Sequence, residues 1–193
     1  MASFSEVQLP ITLPSLENNT PEYLQRPVPP HCPLLHTLAV FLGGRGSGKS
    51  TMLIRMARMY DKHKSYDRIV VFSPTADLDP KMKAFVSGKG LFADVTHYKS
   101  FTEAKLQDEI DIIEADLEAW EKYKRQLAVW EHFVRSGHNV DAMSYEDLLV
   151  LDEELDWTKP KSPTRSGMKP STLVIFDDLV GTRVFRQDMS GLG

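Results

Sequence analysis

A glycine-rich segment that ends in lysine and serine is the part of this chain best suited to chemistry. Residues 43–50 read Gly-Gly-Arg-Gly-Ser-Gly-Lys-Ser and fit the pattern G-x-x-x-x-G-K-[ST] at every fixed position. Glycines let successive backbone N–H groups turn inward toward a phosphate, and a following helix adds the positive end of its dipole. An apolar run at 37–42 precedes the segment, and good helix formers with helical spacing follow it at 51–60. The sequence therefore predicts a strand, a phosphate-binding loop and a helix in succession.

The residues of this loop have expected roles in binding ATP and Mg²⁺, the two cofactors that the motif implies. Backbone N–H groups of Gly46, Gly48 and Lys49 are expected to bind the phosphates. The Lys49 side chain would reach the β and γ phosphates, and the Ser50 hydroxyl would ligate magnesium. The complete predicted nucleotide-binding set is Gly43, Gly44, Arg45, Gly46, Ser47, Gly48, Lys49, Ser50 and Thr51.

A second apolar run, at residues 171–179, ends in two neighbouring carboxylates. It reads Ser-Thr-Leu-Val-Ile-Phe-Asp-Asp-Leu and resembles a Walker B strand, which is a buried parallel strand that delivers acids to the carboxyl edge of a sheet. Nucleotide-bound magnesium needs one carboxylate, and hydrolysis needs another to orient or deprotonate the attacking water. We assign the metal role to Asp177 and the catalytic role, together with Lys49, to Asp178.

Composition limits the classes of protein that this chain of 193 residues can belong to. No apolar stretch approaches the roughly 20 residues that cross a bilayer, and the amino terminus lacks the features of a signal peptide. We therefore expect a soluble, intracellular protein without a membrane partner. Cys32 is the only cysteine and the six histidines are scattered, so neither a disulfide nor a cysteine- or histidine-based metal site is expected.

Charge is distributed unevenly along the chain. Between Glu103 and Asp156 there are 16 acidic and 5 basic residues, a balance of −11, whereas the remainder carries 11 acidic and 18 basic residues, a balance of +7. A basic body of this kind can attract nucleic acid as well as nucleotide, although many such lysines only solvate a surface.

Proline content and periodicity divide the chain into four parts. An extended, proline-rich arm is expected at 1–36, the first part of an α/β ATPase core at 37–101, an acidic helical insertion at 102–157, and the loop and acidic strand of the core at 158–193. The predicted fold is a P-loop NTPase, with a mainly parallel sheet flanked by helices. Apart from the motif strands, the expected elements are strands at 68–73 and 94–98 and helices at 51–63, 81–86, 102–135 and 144–155.

The long predicted helix at 102–135 carries apolar residues at steps of three and four for over eight turns. Such a stripe is typical either of a packed helical hairpin or of a coiled-coil partner site. We favour the hairpin, with Trp120 and Trp130 in its core.

Three segments together carry a resemblance to a known family. Leu42-Gly-Gly-Arg-Gly-Ser-Gly-Lys-Ser50, Ile69-Val-Val-Phe-Ser-Pro74 and Leu173-Val-Ile-Phe-Asp-Asp178 are similar to the genome-packaging ATPases of large double-stranded DNA viruses, members of the FtsK and HerA group. The similarity covers about 33–98 and 171–180. It implies a homo-oligomeric ring that couples ATP hydrolysis to translocation of double-stranded DNA into a capsid, with a capsid or portal-type protein as a further partner. It also implies a location in the host cytoplasm or nucleus during assembly, or in the virion.

The chain departs from this family after the acidic pair, because it ends 15 residues beyond Asp178 and has no counterpart of the family's later strands. One of those strands lies between the P-loop strand and the acidic strand. Without it the sheet would have a gap, and about 10 Å would separate the two motif strands. Either the chain is a truncated form of a longer ATPase, or its sheet has the other P-loop order, in which the motif strands are neighbours as in kinases and GTPases.

Two further functions stay open at this stage. One is a different P-loop enzyme, such as a small-molecule kinase with the acidic hairpin as its lid. The other is a non-catalytic module that binds nucleotide as a structural ligand and uses the long helix to bind partners.

Overall fold

The chain forms an α/β structure with a small parallel sheet. The structure, a computed structural model, describes residues 26–44 and 46–179. Most of the predicted arm, Arg45 of the loop and residues 180–193 lie outside this part. The helices are α1 (Lys49–Lys62), α2 (Pro80–Val86), α3 (Glu103–Arg135) and α4 (Tyr145–Leu149), and the strands are β1 (Arg68–Phe72), β2 (Asp94–Tyr98) and β3 (Thr172–Phe176). A 3₁₀ turn, Val140–Ala142, and a π-helical turn, Val150–Glu154, complete the helical insertion.

Strand β1 is the centre of the sheet, whose order is β2-β1-β3. Both neighbours run parallel to it, with Phe72 level with Tyr98 on one side and Phe176 on the other. Residues 69–72 of β1 are completely buried. This agrees with their continuous apolar sequence, because a parallel strand covered on both faces has no polar side.

Helices cover both faces of the sheet. On one face α1 and α2 contribute Ile54, Ala57, Met82 and Phe85 to a core around Ile69 and Val71. On the other face Val70 and Phe72 pack with Tyr98, Phe101 and Leu106, the last of which lies in the first turn of α3. The predicted strands at 68–73, 94–98 and 171–179 and the short helix at 81–86 all match the structure to within a few residues.

The strand predicted at 37–42 is absent, and that prediction was wrong. The segment carries no strand pairing, and the side chains of Leu38 and Leu42 are 89% and 88% exposed. Its apolar sequence suits a buried strand, but a strand also needs a neighbouring edge that supplies hydrogen bonds. Within the described part of the chain, the only strand beside β3 is β1, so no strand lies between β3 and this segment.

The insertion forms the predicted helical hairpin. Thr102 caps α3 by accepting a hydrogen bond from the Lys105 backbone N–H, and Ser144 caps α4 in the same way through Asp147. Its core consists of Val129, Phe133, Met143, Leu151 and Leu155, with Trp130 packed against it. Trp120, expected in the same core, is buried but does not belong to this cluster. Ile110 and Val134 of the predicted stripe are about two-fifths exposed, at 37% and 43%.

None of the helices described is long and apolar enough to cross a membrane.

Candidate functional site

Two glycines of the glycine-rich loop adopt left-handed backbone conformations directly before α1. Gly46 and Gly48 have φ angles of 81° and 87°, in the left-handed region that favours glycine. Gly48 directly precedes α1, and no side chain caps this helix. The N–H groups of the first turn are therefore available to a phosphate at the positive end of the helix dipole.

The Lys49 side chain folds back into the loop. Its Nζ donates hydrogen bonds to the carbonyl oxygens of Gly43 and Gly44, at 2.7 and 2.8 Å. A Cβ atom at Gly43 would lie 2.6 Å from Ser47 Oγ, so the turn is tight at that position too. Ser50 and Thr51 follow on the first turn of α1 and are half-buried.

The acidic pair lies at the carboxyl end of β3, beside the end of β1. The Asp177 backbone N–H donates to the Phe72 carbonyl at 2.9 Å and continues the pairing of the two strands. The Ser73 hydroxyl then donates to Asp177 Oδ2 at 3.0 Å. Asp178 is exposed and has a φ of 53°, a conformation that aspartate and asparagine tolerate better than most residues.

The electrostatic surroundings of Asp177 link the two motifs. Burial raises the pKa of its carboxyl group, and the charges of Asp178 and Asp79 raise it further. The Ser73 hydrogen bond and the charge of Lys49 act in the opposite direction and lower the pKa. The charge of Lys49, which is 128 positions away in the sequence, is the smallest of these influences on the pKa of Asp177.

Three residues near this edge were not predicted from the sequence. Ser73 holds Asp177, Asp79 contributes to its electrostatic field, and Lys81 donates from Nζ to Thr51 Oγ1 at 3.3 Å. Ser73 could have been found, because it follows directly on β1, and the carboxyl ends of parallel strands meet at one edge. Asp79 and Lys81 carry no comparable signal in the sequence.

Only part of the predicted site can be placed. The structure brings Gly43, Gly44, Lys49 and Asp177 into the arrangement described above, with Gly46, Ser47, Gly48, Ser50 and Thr51 beside them, whereas Arg45 lies outside the described residues. Across residues 26–44 and 46–179, no group of three or more His, Cys, Asp or Glu side chains could hold a metal ion. A magnesium ion at this edge would therefore depend on phosphate oxygens and water in addition to Ser50 and Asp177.

Comparison with known proteins adds no family to this description. No family model, no curated protein and no solved structure matches the chain. Its function must therefore be inferred from the site itself and from the resemblance of the motifs.

Proposed function

We propose that this chain is the P-loop ATPase core of a viral-type DNA-packaging motor, which hydrolyses ATP with magnesium and translocates double-stranded DNA into a capsid. The observation that carries the proposal is the glycine-rich loop, whose left-handed Gly46 and Gly48 directly precede α1, together with Asp177 at the carboxyl end of β3. A lysine in such a loop and a carboxylate at the carboxyl edge of the sheet suit the phosphates and the metal of a nucleoside triphosphate.

The residues present fit the chemistry of magnesium and ATP. Hard oxygen ligands are what Mg²⁺ prefers, and Ser50 supplies a hydroxyl while Asp177 supplies a carboxylate. Bound magnesium would neutralise charge that develops on the phosphate oxygens. Asp178 is exposed next to this position and would orient or deprotonate the attacking water, while Lys49 would bind the terminal phosphates.

The described sheet does not decide between the DNA-translocating class and the kinase alternative, because residues 37–42 form no strand. The neighbour of β3 is β1, the strand that follows the loop helix, and the segment that precedes the loop is not paired with β3. In kinases and GTPases the two motif strands would be neighbours. The predicted ring and the DNA, capsid or portal partners rest on the family resemblance and on the basic charge outside the insertion, and they belong to this proposal.

One observation favours a second candidate, the non-catalytic nucleotide-binding module. Leu38 and Leu42, in the segment that leads into the loop, are 89% and 88% exposed, and residues 37–42 form no strand that would hold the loop from that side. Catalysis needs the phosphates held to within a fraction of an ångström, and a loop anchored on one side holds them less precisely.

The test is ATP turnover with magnesium, with and without double-stranded DNA. We expect DNA-stimulated turnover that falls by roughly 10²-fold or more in Lys49→Ala and in Asp178→Asn. Lys89→Ala, an exposed lysine on a turn, and Asp156→Asn, an exposed aspartate that also has a positive φ of 46°, are the matched controls.

Three other results would each change the proposal. Magnesium-ATP binding that is unaffected by Lys49→Ala would show that the glycine-rich loop does not bind the nucleotide. Phosphoryl transfer to a small acceptor without any effect of DNA would favour the kinase. Thermal stabilisation by ATP without turnover would favour the non-catalytic module.

A further inference from the structure

A groove between α1 and α2 has a cationic rim. It has a volume of about 430 Å³, and Ile54, Pro80 and Ala84 contribute its apolar lining. Arg55 and Arg58 line it from α1, and Lys81 lines it from α2. Lys62 extends the row along α1, since positions 55, 58 and 62 follow each other at steps of three and four and therefore share one face of the helix.

Three cations of α1 have no partner among the residues that the structure describes. Arg55, Arg58 and Lys62 are exposed, and none of them forms a hydrogen bond or an ion pair with another of the described residues. The Lys81 side chain donates a hydrogen bond to Thr51. Four positive charges thus lie beside an apolar groove, and three of them have no partner among the described residues.

An acidic surface with the same spacing lies on α3. Asp111, Glu114, Glu118 and Glu121 are all exposed and follow each other at steps of three, four and three. Glu121 pairs with Lys124 and Asp111 accepts a hydrogen bond from Gln107, whereas Glu114 and Glu118 have no partner among the described residues. We call this row the acidic stripe.

The two surfaces are complementary in charge and in pitch. Residues 55, 58 and 62 of α1 are separated along the helix axis by about 4.5 and 6 Å. The acidic stripe has the same two separations, both from Asp111 to Glu118 and, in the opposite direction, from Glu121 to Glu114. In both directions Glu114 and Glu118 come opposite cations of α1. No ion pair joins α1 to α3 in the part of one chain that the structure describes, so these charges are available to a second copy.

We propose that the acidic stripe of one copy of this chain binds the basic groove between α1 and α2 of another copy. The two surfaces differ, so the contact is head-to-tail and each copy has one free surface of each kind for further copies. Since the groove starts at Thr51, one residue after Ser50, the neighbouring α3 would lie close to the phosphate-binding loop. Single exposed ion pairs are weak and screened by salt, so association should depend on several of them together and on ionic strength.

The experiment is sedimentation velocity of the full chain over a range of concentrations, at low and at high salt, without nucleotide or DNA. The wild type should self-associate at low salt and dissociate at high salt. Arg55→Glu with Arg58→Glu, and separately Glu114→Lys with Glu118→Lys, should each weaken association by roughly tenfold or more. All four positions are exposed, and circular dichroism checks that each variant is folded.

A mixture of the two double variants separates a specific contact from general charge effects. In the mixture, the groove that has become acidic in the first variant meets the stripe that has become basic in the second. The other two surfaces, the stripe of the first variant and the groove of the second, keep their native charges. The mixture should therefore associate under conditions in which each variant alone does not. A wild type that stays monomeric at low salt, or folded variants that fail to associate when mixed, would overturn the proposal. So would loss of duplex-DNA binding in Arg55→Glu with Arg58→Glu while self-association is unchanged, because the groove would then be a nucleic-acid surface. The assay uses no ATP, so its result is independent of the proposed ATPase activity.

Discussion

At the scale of single residues, Ser73 determines how the acidic strand presents its first carboxylate. It is completely buried at the end of β1, and its hydroxyl donates to Asp177 Oδ2 at 3.0 Å. His97 Nε2 lies 3.0 Å from the Ser73 carbonyl oxygen and ties the same residue to β2. Ser73 is therefore a positioning residue, which acts through Asp177.

We expect Ser73→Ala to lower kcat by roughly tenfold while KM for ATP changes little, because one charge-assisted hydrogen bond is worth about 1.5–3 kcal/mol. The hydrogen bond lowers the pKa of Asp177, so its loss should also move the acidic limb of the pH–rate profile to higher pH. Steady-state kinetics over a range of pH measures both effects.

Ser65→Ala is the matched control for this prediction. Ser65 is also completely buried and donates its hydroxyl to the Pro27 carbonyl oxygen at 2.6 Å, away from the acidic pair. The control should lose similar stability and keep the pH profile. Equal profiles for both variants would assign Ser73 a merely structural role.

The raised pKa of Asp177 makes a separate prediction about stability. Burial is the main cause, followed in the same direction by repulsion from Asp178 and Asp79. A carboxyl group whose pKa is higher in the folded than in the unfolded state contributes stability that is fully present below the unfolded pKa. That contribution is lost as the pH rises through the folded value.

Asp177→Asn should therefore be at least as stable as the wild type at pH 7 and lose this advantage as the pH falls below the raised pKa. The amide retains an oxygen acceptor for Ser73 and removes the charge. Thermal unfolding of both proteins between about pH 3 and pH 8 tests this, and the range covers the ordinary value for aspartate. A variant that is less stable than the wild type at pH 7 would contradict the prediction.

At the scale of elements, a buried carboxylate holds α3 to the sheet. Glu109 is 2% exposed and accepts hydrogen bonds from Arg68 Nη2 at 2.7 Å and from the Tyr98 hydroxyl at 2.8 Å. These two partners lie on β1 and β2. The hydrogen bond to Glu109 is also the main reason why the pKa of Tyr98 is raised. The acidic hairpin is thus anchored on the sheet at its first turns.

We expect Glu109→Ala to lower the free energy of unfolding by about 3 kcal/mol, because it leaves the Arg68 guanidinium without its short-range partner. Urea unfolding at neutral pH measures the loss. Asp116→Ala is the control, since Asp116 lies 3.9 Å from Arg68 with a half-exposed side chain and should cost less than about 1 kcal/mol. Equal losses in the two variants would rule out Glu109 as the anchor.

At the scale of the whole molecule, Arg26 connects segments that are far apart in the sequence. It forms an ion pair with Asp67 and donates to the carbonyl oxygens of Ser65 and Lys169, at 3.0 and 2.8 Å. Asp67 in turn accepts from the backbone N–H groups of Ser166 and Ser171. The start of β1 and the loop that leads into β3 are therefore held by one buried cluster.

Arg26→Ala should lower the free energy of unfolding by about 3–5 kcal/mol, since it leaves the Asp67 charge and two carbonyl groups without their partner. Denaturant unfolding tests this. Arg165→Ala is the matched control, since Arg165 lies in the loop that leads into β3. Its ion pair with Asp94 is exposed and should contribute less than about 1 kcal/mol. A loss in Arg26→Ala no larger than in this control would show that the cluster does not stabilise the fold.

The sequence by itself determined the features that depend on neighbouring residues. Left-handed glycines at 46 and 48, a helix directly after the loop and the caps at Thr102 and Ser144 follow from local backbone and hydrogen-bonding rules, and the apolar runs of β1 and β3 follow from burial. The structure alone decided that 37–42 stays out of the sheet, that Ser73 holds Asp177, and that Arg26 meets Asp67. These features depend on a partner strand, or on side chains that lie 41 to 104 positions apart in the sequence, and no local pattern encodes such distant pairs.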